Sequence, residues 1–166
     1  MLNTKIEAIL NEQINKEAYS AHLYLSMASW SEKNGFAGIA NWMYAQAEEE
    51  WAHMLKFINY INDRGGHAVI SAIEKPPVEH GDMNEMFQAV LAHEMLVSES
   101  INEIVGATIE EKDYTTNNWI QWFVNEQIEE EASVNEILDK LKMLKGESMY
   151  LFDRDIVSMR NEPGNA

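Results

Sequence analysis

Glycine and proline divide this chain into four long blocks and one short block. Only 8 glycines and 3 prolines occur in 166 residues, and most of them fall at Gly35, in the 65–81 stretch, at Gly146 and at Pro163-Gly164. Both residue types interrupt regular structure. Between them, apolar residues recur at steps of three and four, which is a helical period, without the alternation of a strand. The chain is therefore predicted to be all-α, with helices at about 4–33, 36–64, 82–111, 114–145 and 147–159.

Four helices of this length predict a four-helix bundle that forms a single domain over 1–166. The connection at 65–82 has 18 residues, whereas the turns at 34–35 and 112–113 have two each. Fully extended, 18 residues reach roughly 60 Å, which exceeds the roughly 44 Å length of a helix of about 29 residues. This connection can cross the whole bundle. The second and third helices are therefore predicted to be parallel, and the last block forms a short fifth helix.

The residues at the predicted helix ends agree with this division. Thr4 and Asp82 each precede a glutamate by three residues, which is the spacing of a capping box. Gly35 suits the left-handed conformation that follows many helices, and Gly146 can close the fourth helix in the same way.

A glutamate interrupts the apolar stripe of every long helix near its middle. The four are Glu17, Glu50, Glu94 and Glu130. Counted from the two tight turns, the acids of each hairpin lie at matching heights, so all four converge in one layer if the hairpins align. Carboxylates buried together would repel one another and take up protons. A bound multivalent cation is the direct way to keep them ionised.

One histidine indicates which kind of cation the acids would bind. His53 follows Glu50 by three residues, so both side chains lie on one helix face. Glu-x-x-His is the spacing of di-iron carboxylate bundles, and imidazole with several carboxylates suits iron or manganese better than calcium. The alternative is a polar layer that sets the register of the bundle. Five ionisable groups without a metal would be a costly way to do so.

The charge of the chain excludes several classes of partner. There are 28 acidic residues and 12 Lys+Arg, for a net charge of −16, so binding to nucleic acid or to an anionic membrane is not expected. Cysteine is absent, which excludes disulfides and thiolate metal sites. No stretch approaches ~18 apolar residues, and the N-terminal region lacks the apolar segment of a signal peptide. A cytoplasmic protein is expected.

At these residues the chain resembles the bacterial non-haem ferritins, which belong to the ferritin-like di-iron family. The resemblance covers nearly the whole chain. It is carried by Glu17 with Tyr24, by EEEWAH at 48–53, by AHEM around Glu94 and by WFVNEQIEEE at 122–131.

The resemblance implies two iron positions that share one bridging ligand. One iron would be held by Glu17, Glu50 and His53. The other would be held by Glu50, Glu94 and Glu130, with Gln127 beside the pair as a weak ligand or a supporting group.

The resemblance also implies a third iron position and two oxidisable aromatic residues. The third position would use Glu49, Glu126 and Glu129, with Glu130 shared. The aromatic residues would be Tyr24 and Trp122. Without the resemblance, the first three acids are equally well explained as a solvated face, and the two aromatic residues as core filler.

Two departures from relatives limit the prediction. Gln127 and Glu130 occupy the positions of the second Glu-x-x-His that bacterioferritins carry. Trp51 stands where bacterioferritins have the methionine that ligates haem, so no haem is predicted. The other histidines have no comparable pattern and are predicted to lie at the surface or in loops; they are His22, His67, His80 and His93.

The function that the resemblance implies is iron storage with ferroxidase activity. Dioxygen or hydrogen peroxide would oxidise Fe(II), and Fe(III) would be stored as a mineral inside a hollow homo-oligomer of 24 subunits. The segment at 148–159 would be the short fifth helix of this family. Two alternatives stay open at this point: a soluble di-iron oxygenase or peroxidase of small substrates, and a metal-free helical scaffold.

Overall fold

The computed structural model describes residues 2–144 and 148–159, and within them all regular structure is helical. The helices are α1 (Thr4–Lys33), α2 (Ala37–Asp63), α3 (Met83–Glu110), α4 (Tyr114–Met143) and α5 (Met149–Asp155), and a 3-10 turn follows at Ile156–Met159. The bounds of α1 to α4 lie within two residues of the predicted ones, and α5 with the 3-10 turn occupies 149–159 of the predicted fifth block. The all-α, four-helix architecture with a short fifth helix is confirmed.

The helix ends follow the predicted chemistry at two of the four positions. Asp82 caps α3 in a complete capping box with Glu85, and Gly35 adopts a left-handed φ of +83° after α1. The prediction for Thr4 is wrong, because Asn3 is the cap of α1 and its side chain accepts a hydrogen bond from the backbone N–H of Lys5. Asparagine is the stronger N-cap of the two. Gly146, predicted to close α4, lies outside the described residues.

Two apolar cores lie at opposite ends of the bundle, and their composition shows the direction of each helix. The first core, centred on Leu10, Phe57, Ile101 and Phe123, contains the start of α1 and α4 and the end of α2 and α3. The second core, centred on Met27, Met43, Phe87 and Val134, contains the opposite helix ends. Helices α2 and α3 are therefore parallel to each other and antiparallel to α1 and α4. The predicted long crossover is confirmed.

The crossover between α2 and α3 follows α1 and is attached to it by side chains of that helix. Asn11 accepts a hydrogen bond from the backbone N–H of Val69 at 2.7 Å, and Asn15 donates one to the carbonyl of Ala72 at 2.8 Å. Farther along, the Ser26 hydroxyl donates to the carbonyl of Pro77. Successive residues of α1 thus contact successive residues of the crossover.

Helix α5 closes the second core and caps α2. The side chain of Phe152 is buried in that core, while the carboxylate of Asp153 accepts hydrogen bonds from the backbone N–H groups of Gly38 and Ile39 at 3.1 and 2.9 Å. Phe36, the first flanking residue of α2, supplies no side-chain cap. A Cβ at Gly38 would lie 1.7 Å from the Asp153 carbonyl oxygen. Glycine at this position is therefore required for the docking of α5.

Candidate metal centre

A layer of buried polar side chains separates the two apolar cores. In α2, α3 and α4 the predicted glutamate falls between the last residue of one core and the first residue of the other, and in α1 Glu17 directly precedes Ala18, the last residue of the first core in that helix. All four glutamates and His53 are at most 6% exposed: Glu17, Glu50, Glu94, Glu130 and His53. The acids predicted to share one height do converge. Glu50 interacts electrostatically with Glu17, Glu94 and Glu130.

Three of these residues form what we call the inner cluster, which consists of Glu17, Glu50 and His53. Their potential ligand atoms all lie within 4.8 Å of one another. The Nδ1 atom of His53 is 3.8 Å from Oε2 of Glu17 and 3.4 Å from Oε2 of Glu50. Within the described part of the chain, Glu50 Oε2 and His53 Nδ1 are buried without a hydrogen-bond partner. Buried polar atoms are almost always paired, so this pair of atoms is suited to a cation.

Glu94 is held by two hydrogen bonds from its own layer. The Tyr24 hydroxyl, which is fully buried, donates to Oε1 of Glu94. The side-chain amide of Gln127 donates to Oε2 of the same carboxylate at 3.0 Å. Gln127 therefore orients Glu94 through its amide nitrogen. Each oxygen of the Glu94 carboxylate keeps a further lone pair that a cation could use.

Two buried glutamines that were not predicted from the sequence donate hydrogen bonds to Glu17 and Glu130. The Gln13 amide donates to Oε1 of Glu17 at 2.7 Å, and Ser100 donates to the oxygen of Gln13 at 2.9 Å. The Gln46 amide donates to Oε2 of Glu130 at 2.8 Å. Gln13 and Gln46 each precede a stripe glutamate by four residues, so the helical period was the signal that could have identified them.

Burial makes this layer unfavourable for negative charge. It raises the pKa of Glu17 and of Glu50 well above the usual range, and neighbouring carboxylates raise both pKa values further. Burial, with the charge of Glu94, raises the pKa of Glu130 to about 8. A multivalent cation would reverse this balance, because it favours the ionised carboxylates. The donor set of carboxylate oxygens and one imidazole fits iron.

A second group, the outer cluster, consists of Glu49, His53 and Glu126. Their potential ligand atoms also lie within 4.8 Å of one another. Here His53 contributes its other nitrogen, because Nε2 lies 3.9 Å from Oε1 of Glu126. Glu129 is exposed and raises the pKa of Glu126 electrostatically, but it is not one of the three grouped residues. The indole of Trp122 packs edge-on against the His53 ring at 5.5 Å.

The remaining histidines differ in part from the prediction. His67 is exposed in the crossover, as predicted. His80 is in the crossover but buried, and His22 is half-buried in α1 with Nδ1 2.9 Å from the carbonyl of Ala18. For His93 the prediction is wrong: it lies in α3, where burial lowers its pKa to about 4 and Nε2 is 2.7 Å from the Ser20 hydroxyl. His93 faces the groove between α1 and α3. The spacing of residues along α3 alone does not predict this contact with α1.

The comparison with known proteins agrees with this geometry. The Ferritin-like domain family matches residues 7–144, which contain α2, α3, α4 and all but the first three residues of α1. The chain belongs to the ferritin family. A probable bacterial non-heme ferritin-like protein of Haemophilus influenzae is 44% identical over 94% of this chain and 96% of its own length. The bacterial non-heme ferritin of Campylobacter jejuni is 39% identical over 94% of this chain and 95% of its own length.

Solved ferritin structures share the fold over nearly the whole chain. An open-pore ferritin of Archaeoglobus fulgidus superimposes with a TM-score of 0.92 at 40% identity, covering 96% of this chain and 98% of that one. A closed form engineered from the same archaeal ferritin superimposes with a TM-score of 0.93 at 39% identity, covering 97% of this chain and 99% of that one. The predicted resemblance to bacterial non-haem ferritins is therefore confirmed. Membership of the ferritin family places the chain among iron-binding, iron-storing proteins.

None of the described helices is both long enough and apolar enough to span a membrane.

Proposed function

We propose that this ferritin oxidises Fe(II) at a di-iron carboxylate centre and stores the Fe(III) as a mineral inside a cage of subunits. The observation that supports it most directly is the buried pair of Glu50 Oε2 and His53 Nδ1, which have no hydrogen-bond partner in the described residues. They lie in a layer of four carboxylates between two apolar cores. A layer built only to set helix register would pair these atoms.

The two Fe(II) ions are substrates that occupy adjacent positions. Glu17, Glu50 and His53 would hold one ion. Glu50, Glu94 and Glu130 would hold the other, so Glu50 is the bridge. Tyr24 and Gln127 orient Glu94, and Gln46 orients Glu130. These hydrogen bonds prepare the second position before metal arrives.

The chemistry follows from the charge of the ligands. Each Fe(II) gives up one electron, and the pair is passed to dioxygen, which with two protons becomes hydrogen peroxide, or to hydrogen peroxide, which with two protons becomes water. Carboxylates stabilise the 3+ ion more than the 2+ ion and so favour oxidation. Hydrolysis of Fe(III) releases protons, which water and the carboxylates accept.

A third iron position and the fate of the product complete the proposal. Glu49, Glu126 and Glu129, with Glu130 shared, would receive the ion that leaves the paired positions and pass it toward the mineral. Tyr24 and Trp122 would be the aromatic residues able to supply an electron. Catalytic roles are thus assigned to Glu17, Tyr24, Glu50, His53, Glu94 and Glu130.

The assembly is proposed to be a cytoplasmic homo-oligomer of 24 subunits. The net charge of −16 per chain favours cations such as Fe(II) and disfavours nucleic acid or an anionic membrane. Haem is not part of the proposal, because Trp51 stands where a methionine ligand is needed.

One experiment tests the proposal against its alternatives. The metal-free protein is titrated with Fe(II) without oxygen, then exposed to air and run through size exclusion while iron is measured across the peak. We expect two tight Fe(II) per subunit and a particle far larger than the 19.1 kDa chain that carries the iron. A small particle that binds two irons without retaining mineral would indicate an oxygenase or peroxidase. Absence of Fe(II) binding would indicate a metal-free scaffold.

A further inference from the structure

A lysine lies beside the outer cluster, in a chain with few cations and many acids. Lys56 follows His53 by three residues on α2. Its Nζ atom lies over the indole of Trp122, 2.9 Å from the ring centroid. The same indole packs edge-on against the His53 ring at 5.5 Å. The cation is thus held in place by a cation–π contact, next to the imidazole that the two clusters share.

The charges that act on Lys56 come from the outer cluster. Glu126 and Glu49 both interact with it electrostatically, and both belong to the group formed with His53. Its ammonium therefore offsets part of the negative charge that would attract a metal ion to these acids. The same ammonium repels any cation that binds there, because like charges at short range disfavour each other.

We propose that Lys56, positioned by Trp122, keeps metal binding at the outer cluster weak, so that an ion there is passed on. This inference rests on the proposed function. A relay position has to release its ion, and a site of only carboxylates and imidazole would retain Fe(III) strongly. The fixed ammonium lowers that affinity while the acids keep the site attractive to a passing cation. Lys56 does not ligate the metal ion; its positive charge lowers the affinity of the outer cluster for that ion.

The first test measures binding of a cation that cannot be oxidised. The metal-free native assembly is titrated calorimetrically with Zn²⁺ in the wild type, Lys56→Gln, Lys56→Arg and Lys75→Gln. Lys75 lies in the crossover and is the matched control for loss of one positive charge. We expect the weakest binding event to tighten about three- to tenfold in Lys56→Gln only, since one charge beside a partly solvated divalent ion has an effect of this order. Lys56→Arg keeps the charge and should bind as the wild type does.

The second test asks whether the effect passes through the outer cluster. Glu126→Gln removes one acid of that cluster, and Lys56→Gln should have little effect on Zn²⁺ binding in that background. With Fe(II) and air, Lys56→Gln should leave the first oxidation phase unchanged and slow the turnover of later additions.

The inference is wrong if Lys56→Gln binds the weakest Zn²⁺ with wild-type or lower affinity, if no binding beyond two ions is detected in either protein, or if Lys56→Arg behaves as Lys56→Gln does. In all three cases the proposed oxidation at the paired positions stands as long as the two tight ions bind and are oxidised, but absence of binding beyond two ions would remove the third iron position from the proposed function. If no metal binds at all, the proposed function itself fails.

Discussion

His53 Nδ1 lies 3.4 Å from Glu50 Oε2, and neither buried atom has a hydrogen-bond partner within residues 2–144 and 148–159. The other ring nitrogen of His53 faces Glu126 at 3.9 Å. One imidazole therefore joins two acidic clusters, one buried and one closer to solvent. A buried polar atom without a partner destabilises the fold by about 1–3 kcal/mol, so the metal-free layer trades stability for the ability to bind cations.

Glu50→Ala should abolish the fast oxidation of Fe(II). Glu50 is the only residue assigned to both iron positions, so its loss breaks the pair and stops the concerted removal of two electrons. Stopped-flow absorbance at two Fe(II) per subunit measures the rate, and we expect a loss of at least about 100-fold, or roughly 3 kcal/mol in the barrier. Glu48→Ala changes an exposed neighbour on the same helix and should oxidise iron at the wild-type rate. Equal rates for Glu50→Ala and wild type would remove the central assignment.

Glu130→Gln should stabilise the metal-free protein at neutral pH. The folded pKa of Glu130 is raised to about 8, above its ordinary value of 4.5, so the folded state favours the protonated form. The wild type therefore loses more stability than the variant as the pH rises from about 4.5 toward 8, because only the contribution of Glu130 is absent from the variant. Unfolding at pH 5, 6.5 and 8, at one protein concentration, should show a gap that grows to roughly 2–5 kcal/mol. Fe(II) without oxygen should reverse the order, since a ligand of the folded state stabilises it.

Gln46→Leu should shift the pH dependence of iron oxidation upward. The Gln46 amide donates to Oε2 of Glu130 and lowers the pKa of that carboxyl. Without this hydrogen bond Glu130 holds its proton to higher pH, and metal must compete with the proton. The midpoint of the rate–pH profile should rise, and the free energy of unfolding at pH 8 should fall by about 1–3 kcal/mol. Gln121→Leu, an exposed change on α4, is the control; a profile that coincides for both variants would contradict the role of Gln46.

Asn11→Ala combined with Asn15→Ala should loosen the crossover without affecting the metal centre. These side chains make hydrogen bonds to the crossover at His67, Val69 and Ala72. Hydrogen exchange read by mass spectrometry should show about five- to tenfold faster exchange over residues 67–72, as expected for the loss of roughly 1 kcal/mol per hydrogen bond. Asn135→Ala removes a bond within its own helix and should leave this segment unchanged. Unaltered exchange in the double variant would mean that other contacts hold the crossover.

The sequence by itself determined the helices, their order and the position of the acids along them. Helical period and the placement of glycine and proline are local properties, and a glutamate in the apolar stripe stands out because burial of a charge is unfavourable. The crossover length restricted the topology before any contact was known. Glu17, Glu50, Glu94 and Glu130 could be placed in one layer in this way, since a helix converts residue number into height.

Only the tertiary structure decided how these side chains meet. The hydrogen bond from Gln46 to Glu130 and the cation–π contact of Lys56 with Trp122 join α2 to α4, and the cap that Asp153 provides for α2 joins residues 114 positions apart. His93 is half-buried in a groove that α1 and α3 form together. Such contacts depend on the rotation of each helix about its axis and on side-chain rotamers. The packing of all the helices sets these rotations and rotamers together, and the spacing of residues along one helix does not predict them.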